Sequence, residues 1–301
     1  MKIFHHIDAD GYCAAYCAYK LSGEQKDAEF FPINYGVEFP FESIQAGEEV
    51  IIVDYSIEPE EMDKLLDITT KVTWIDHHKT AIAKYDGYDK TISGIRYNGI
   101  AGCMLTYCYF SFISMLPELQ GDLSEQYEMW SVFISTAPKF IKLVADYDVW
   151  TFEYGDTTRQ FHEALELMCM HPVHGIWTAL DSFDEKMNQD MLNKMLVKGI
   201  DCIKYRENFA KKYCESKGFE CNFDGYKAYC LNMAMVSSND FNSVEGEYDL
   251  YIGFSFNGES WTYSIRSNKD SVDCSEIASN YGGGGHKGAA GFRSKELLLG
   301  A

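Results

Sequence analysis

The sequence predicts an α/β protein: an N-terminal doubly wound, mostly parallel sheet, a helical connector and a smaller C-terminal α/β domain. Three observations predict it. The first third alternates strand-like apolar runs with helix-like segments. Residues 157–214 are largely helical and rich in Lys, Glu and Met towards their end. From about residue 218, strand-like segments return with turn residues between them. Boundaries are set at 1–180, 181–217 and 218–301.

In chain order, "KIFHHI" (2–7) is a buried strand and "GYCAAYCAYKLS" (11–22) a helix. "EVIIVDYS" (49–56) and "KVTWIDHH" (71–78) repeat the strand signal. Between them "EPEEMDKLLDIT" is a helix opened by acids, which suit the positive end of a helix dipole. Strand, helix, strand, helix, strand implies parallel pairing through right-handed crossovers. Residues 100–116 and 124–145 read as helices, the second running into "KLVADYDVW". In the last domain "YKAYCLNM", "YDLYIGFSF" and "SWTYSIRS" read as strands, followed by the helix "CSEIASNY" and the loop "GGGGHKGAAGF".

Composition narrows the function. The 301 residues hold 26 Lys and Arg against 46 Asp and Glu, a formal net charge of −20. Such a surface repels polyanions and argues against long duplex nucleic acid as a partner. A short or small phosphoester stays open, because bound cations reverse the local field. The ten cysteines include no CxxC pair and read as small hydrophobes in a reduced protein, not as a zinc site. No segment reaches the roughly 18 unbroken apolar residues of a membrane helix, and the N-terminus lacks the apolar core of a signal peptide. A soluble, cytoplasmic protein with no membrane partner is expected, and a homodimer is left open.

All three N-terminal strands end in metal-binding or titrating residues. The first delivers His5, His6, Asp8 and Asp10, the second Asp54, and the third Asp76, His77 and His78. Singly, each has a plain reading: Asp8 or Asp10 as a helix N-cap, Asp54 as a loop former. Together they lie at the carboxyl edge of an open sheet, where ligands bind. Carboxylates with imidazoles suit Mn²⁺, Mg²⁺ or Fe²⁺, and so many donors fit two ions with a bridging carboxylate better than one. In the last domain, Gly282 to Gly285 let backbone N–H groups approach an anion, with His286 as a further donor and Arg266 for bidentate phosphate contact.

"HIDADG", "VDYS", "DHH" and "VADYD", in that order, resemble the four motifs of the DHH phosphoesterase superfamily. The tail "SIRSNKDSVDCSEIASNYGGGGHKGAAGF" is similar to its associated C-terminal substrate domain. The resemblance covers both ends of the chain and leaves the helical middle unmatched. It implies a manganese-dependent phosphoesterase with two ions, Mg²⁺ or Fe²⁺ being alternatives. Carried over by motif, Asp8 and Asp10 are ligands to different ions, Asp54 is the bridge and His77 a further ligand. Asp146 is the fourth-motif ligand, with Asp148 as its rival. His78 contacts phosphate and Asp76 supports that loop. Several family members place the first histidine four residues before the first Asp, which here is Phe4. This chain has His6 two residues before Asp8, so His6 is preferred as the ligand and His5 stays open. Arg266, Ser267, Gly283, Gly284, Gly285 and His286 match the substrate-binding positions.

The reaction implied is hydrolysis of short oligonucleotides or small nucleotide phosphodiesters by a water that two ions activate. Exopolyphosphatase-like or 3′-phosphoadenosine-5′-phosphate phosphatase-like activity is the runner-up. The associated domain argues against pyrophosphate, and the charge against processive work on long strands. A non-enzymatic nucleotide sensor fits worst, since it normally lacks a metal-site acid and every acid is present.

Overall fold

The computed structural model describes residues 1–23, 27–112 and 127–299. The chain divides into two compact units, Met1–Cys202 and Ile203–Ala301.

The first unit holds four parallel strands: β1 (Lys2–His6), β2 (Glu29–Ile33), β3 (Val50–Val53) and β4 (Val72–Ile75). Their order is β2-β1-β3-β4. Register sets Lys2 opposite both Glu29 and Val50, and Val53 opposite Ile75. The chain therefore leaves β1 to one side and returns on the other, which creates a topological switch point between β1 and β3. The strands read as unbroken apolar runs because both faces are buried. Ile3, Ile51, Val53 and Ile75 point into one core, whereas Phe4, Val50, Ile52, Val72 and Trp74 point into the other. That split is the period-two alternation of a pleated strand.

Helix α1 (Ala9–Leu21) packs on the first face. Its Ala14, Ala15, Cys17 and Ala18 are fully or almost fully buried, and small side chains there let α4 (Gly102–Ser111) lie close. Helix α2 (Pro59–Ile68) covers the second face with Met62 and Leu65. Its start is fixed by Pro59 in the first turn and a capping box between Glu58 and Glu61. The short α3 (Lys79–Ala83) follows β4.

Expected helix 124–145 is two helices, α5 (Tyr127–Thr136) and α6 (Lys139–Asp148). Pro138 caps α6 and lacks the N–H that a continuous helix needs, so the chain breaks there. The parts of the two helical expectations that fall on residues 113–126 lie outside the described residues. Then come α7 (Asp156–Leu165), α8 (Gly175–Leu180) and the long α9 (Glu185–Lys217), which carries the chain across the division.

The second unit is a six-stranded mixed sheet built from β5 (Phe219–Phe223), β6 (Tyr226–Asn232), β7 (Leu250–Phe256), β8 (Trp261–Arg266), β9 (Gly284–His286) and β10 (Ala289–Ser294). The order is β5-β6-β7-β8-β10-β9, with β6 and β7 parallel. Asp224 and Gly225, both at positive φ, turn β5 into β6 as an Asp-Gly hairpin does. Helix α10 (Cys274–Ser279) packs on one sheet face through Ile277 and Ala278.

The glycine run is not an open loop. Gly284 to His286 form edge strand β9, paired with β10. A Cβ on Gly283 would lie 2.1 Å from the Gly291 carbonyl oxygen, and one on Gly285 2.7 Å from that of Ala289. Close backbone packing accounts for these two glycines.

Candidate metal centre

The carboxyl edge of the first sheet gathers the acids and histidines. β1 leads into His6, Asp8 and Asp10, β3 into Asp54, and β4 into Asp76, His77 and His78. The last turn of α6 adds Asp148. Asp54 has φ 53°, a left-handed conformation that Asp tolerates better than most residues. Such strain beside a cluster of charge is characteristic of a functional position.

The helix start of α4 holds Asp10. The N–H groups of Gly102 and Cys103 donate to its two oxygens at 2.7 and 2.9 Å. A Cβ on Gly102 would come within 2.7 Å of Asp54 Cβ and 3.0 Å of Asp10 Oδ2. Only glycine lets α4 approach both acids.

Two of the donor groups at this edge meet at Asp54. In one, His77 Nε2 lies 3.6 Å from Asp10 Oδ2 and 3.4 Å from Asp148 Oδ2. In the other, His6 Nδ1 lies 2.6 Å from Asp8 Oδ2 and 3.9 Å from Asp54 Oδ2. Asp54 joins them, because its other oxygen, Oδ1, is 3.1 Å from His77 Nε2. Asp10, Asp54 and His77 are each 1 % exposed, so water screens these charges little.

The electrostatics follow from that crowding. Burial and the carboxylates of Asp10 and Asp8 push the Asp54 carboxyl well above its ordinary value. Burial and Asp10 do the same to Asp148. Burial holds the His77 imidazole low. At His6 burial opposes the charge, yet the Asp8 carboxylate outweighs it and raises the imidazole to about 9. Asp8 in turn is held far below the usual carboxylate range by His6, against the cost of burial.

The donors fit divalent cations. Both oxygens of Asp54 and Oδ2 of Asp148 are buried and accept no hydrogen bond among the described residues. Buried anionic oxygens without donors are costly, and cations remove the cost. The spacings around His77 Nε2 are near the edge of about 3 Å expected for an octahedron with bonds of about 2.1 Å.

Asp76 and His78 stand beside these groups. Asp76 accepts from the His77 and His78 N–H groups at 2.8 and 3.4 Å, from Ser56 Oγ, and from His78 Nδ1 at 2.7 Å. His78 offsets burial and holds the Asp76 carboxyl at about 2. Asp76 is thus a scaffold that orients His78.

One of the sequence expectations changes. Asp146, preferred as the fourth-motif ligand, is not in the cluster. It accepts from Thr151 Oγ1 (2.6 Å), Glu153 N (2.8 Å), Tyr154 N (3.2 Å) and Thr158 Oγ1, pinning the turn after α6. Residues two apart on a helix point about 200° apart, so only one can face the sheet edge. That one is Asp148. Of His5 and His6, the preferred His6 is the one that lies in a donor group. Adjacent strand residues point to opposite faces, and His5 turns away, its Nδ1 2.7 Å from the His6 carbonyl oxygen and its ring against Tyr12.

The residues expected to bind substrate lie in the second unit. Arg266 Nη2 donates to the Val236 carbonyl at 3.0 Å and to Ser264 Oγ at 3.2 Å. Ser267 Oγ donates to the Asp249 carbonyl at 2.8 Å. Arg266 lines a cavity of about 200 Å³ with Phe241, Tyr251 and Asn268. Gly283, Gly284, Gly285 and His286 lie at and in β9. Gly102 and Asn34 escape sequence reasoning. Gly102 falls in the segment read as a helix and Asn34 in the "NYG" punctuation of a loop, and neither pattern marks a site.

No protein-family model matches the chain. It is 24 % identical over 291 residues to an uncharacterized protein of Acanthamoeba polyphaga mimivirus, covering 89 % of this chain and 57 % of that protein. The chain thus spans little more than half the length of that relative. Among solved structures it is similar to a DHH domain described as a member of the s1p family of ribosomal proteins. The TM-score is 0.52 at 15 % identity, covering 96 % of this chain and 81 % of that one. It is also similar to RecJ in complex with Mn²⁺ from Thermus thermophilus, with a TM-score of 0.48, 16 % identity, and coverage of 97 % and 49 %. With acids and histidines at three parallel strand ends and this structural likeness, the chain has the DHH-domain fold.

Proposed function

We propose that this protein is a divalent-metal-dependent phosphoesterase acting on short oligonucleotides or small nucleotide phosphodiesters, with Mn²⁺ as the preferred ion. One observation carries the reading: Asp54 extends one oxygen into each of two acid–histidine groups, and neither oxygen accepts a hydrogen bond among the described residues. That is the position of a shared carboxylate. Asp10, His77 and Asp148 would hold one ion, His6 and Asp8 the other. The donors are oxygen and imidazole, which favours Mn²⁺, Mg²⁺ or Fe²⁺ over thiolate-seeking ions. A bound pair supplies Lewis-acid activation of water and neutralises charge at phosphorus.

The protein residues supply placement. Asp76 fixes His78 through Nδ1, which turns Nε2 outward as a donor to a phosphoryl oxygen where charge grows. Asp76 also favours the charged imidazolium, against the burial that opposes it. The Asp10–α4 contact keeps that carboxylate from swinging away. Arg266, Ser267, Gly283, Gly284, Gly285 and His286 are assigned to substrate binding by their motif resemblance.

The test is a substrate panel on protein stripped with EDTA and reloaded with Mn²⁺: dinucleotides, cyclic nucleotides, 3′-phosphoadenosine 5′-phosphate and polyphosphate. Dinucleotide or cyclic-nucleotide hydrolysis should vanish on stripping and return with Mn²⁺ better than with Zn²⁺ or Ca²⁺. Full activity in the stripped protein, or turnover of polyphosphate alone, overturns the reading.

A further inference from the structure

We infer that Asn34 is a positioning residue: it holds the hydrogen on His6 Nε2, so that Nδ1, here hydrogen-bonded to Asp8, is the nitrogen that gives up its proton to a cation at the Asp8–Asp54 group. The inference rests on the metal-binding reading above.

The argument starts from the Asn34 amide, whose oxygen and nitrogen differ only in hydrogen-bond role. The Tyr35 backbone N–H, a donor only, lies 2.8 Å from one amide atom, which must therefore be the acceptor Oδ1. The same atom lies 3.3 Å from His6 Nε2. An acceptor opposite Nε2 requires that Nε2 carry hydrogen. Nδ1 is the ring nitrogen nearest both acids, at 2.6 Å from Asp8 and 3.9 Å from Asp54. With the hydrogen held on Nε2, Nδ1 is the nitrogen that a cation takes up. A ligating imidazole ordinarily donates its other N–H to an oxygen in this way, and losing that partner weakens metal binding by about 10–100-fold. Asn34 follows the end of edge strand β2 and comes from a part of the chain that carries none of the acids, so its contact with His6 depends on β2 pairing with β1.

The experiment uses the full-length chain, stripped of metal and titrated calorimetrically with Mn²⁺, as wild type, Asn34→Ala and Asn34→Asp. Wild type should bind two ions. Asn34→Ala should weaken one of them about 10–100-fold and leave the other unchanged. Asn34→Asp, which keeps the acceptor, should restore it. ¹⁵N shifts of the His6 ring in Mg²⁺-loaded wild type should report hydrogen on Nε2. That measurement carries the test if the alanine variant does not fold. Equal affinities in wild type and Asn34→Ala, equal loss of both ions, or hydrogen on His6 Nδ1 each overturn the inference and leave the phosphoesterase reading standing. A wild type that takes up no divalent ion overturns both.

Discussion

Asp146 and Asp148 sit two residues apart, and the sequence motif contains both. Nothing in the spacing says which faces the sheet edge, because that depends on the rotation of α6, which its packing decides. Their hydrogen-bond partners separate their roles. Asp148→Asn should weaken the ion shared with His77 and Asp10 by at least tenfold while the fold holds. Asp146→Asn should leave metal affinity unchanged and destabilise the protein by about 1–3 kcal/mol, because four donors lose their charged acceptor. Calorimetric metal titration and thermal unfolding of the two variants distinguish these outcomes, and the reverse pattern would restore Asp146 as the ligand. Other residues are legible in the sequence. Asp8, Asp10, Asp54 and His77 all stand at strand ends in the sequence, and the structure brings them together. Strand alternation alone already sets His5 and His6 on opposite faces. Gly102 and Asn34 were not legible, because their roles exist only against partners far away in the chain.

At the scale of elements, β1, β3 and β4 were readable because burial on both faces leaves unbroken apolar runs. β2 was not: it is an edge strand, half exposed, with Pro32 next to its last residue, and proline is tolerated there because one edge needs no donors. β9 and β10 hid inside a glycine-rich stretch that reads as loop. That stretch yields a test of strand against cradle. Gly283→Ala drives a methyl into the Gly291 carbonyl and Phe292, so it should unzip β9 from β10. Amide exchange at residues 284–291 should accelerate while the first unit's metal affinity stays as in wild type. Unchanged exchange in that segment would show that the glycine is not required by packing.

Across the whole molecule the dominant fact is negative charge, concentrated where five carboxylates, Asp8, Asp10, Asp54, Asp76 and Asp148, share one sheet edge. Burial and mutual repulsion raise Asp54 and Asp148, and Asp8 raises His6, so all three bind protons more tightly than free side chains do. For a group whose pKa is raised, protons persist to higher pH and compete with a cation. Affinity for Mn²⁺ should therefore fall between pH 7.5 and pH 5.5, and binding should release protons. Titration in two buffers of different ionisation enthalpy measures that release. Heats that do not depend on the buffer would mean these groups are already deprotonated. The sheet order has a kinetic consequence as well. β1 pairs with β3, whose first residue, Val50, lies opposite Lys2, a separation of 48 positions (50 − 2). The donors are spread from His6 to Asp148. Apart from the local pair His6 and Asp8, the donors meet only after these long loops have closed, which is the slow part of folding. Stopped-flow traces should accordingly show Mn²⁺ slowing the unfolding arm and leaving the refolding arm untouched, so that the ion acts as a latch on the finished molecule and not as its seed.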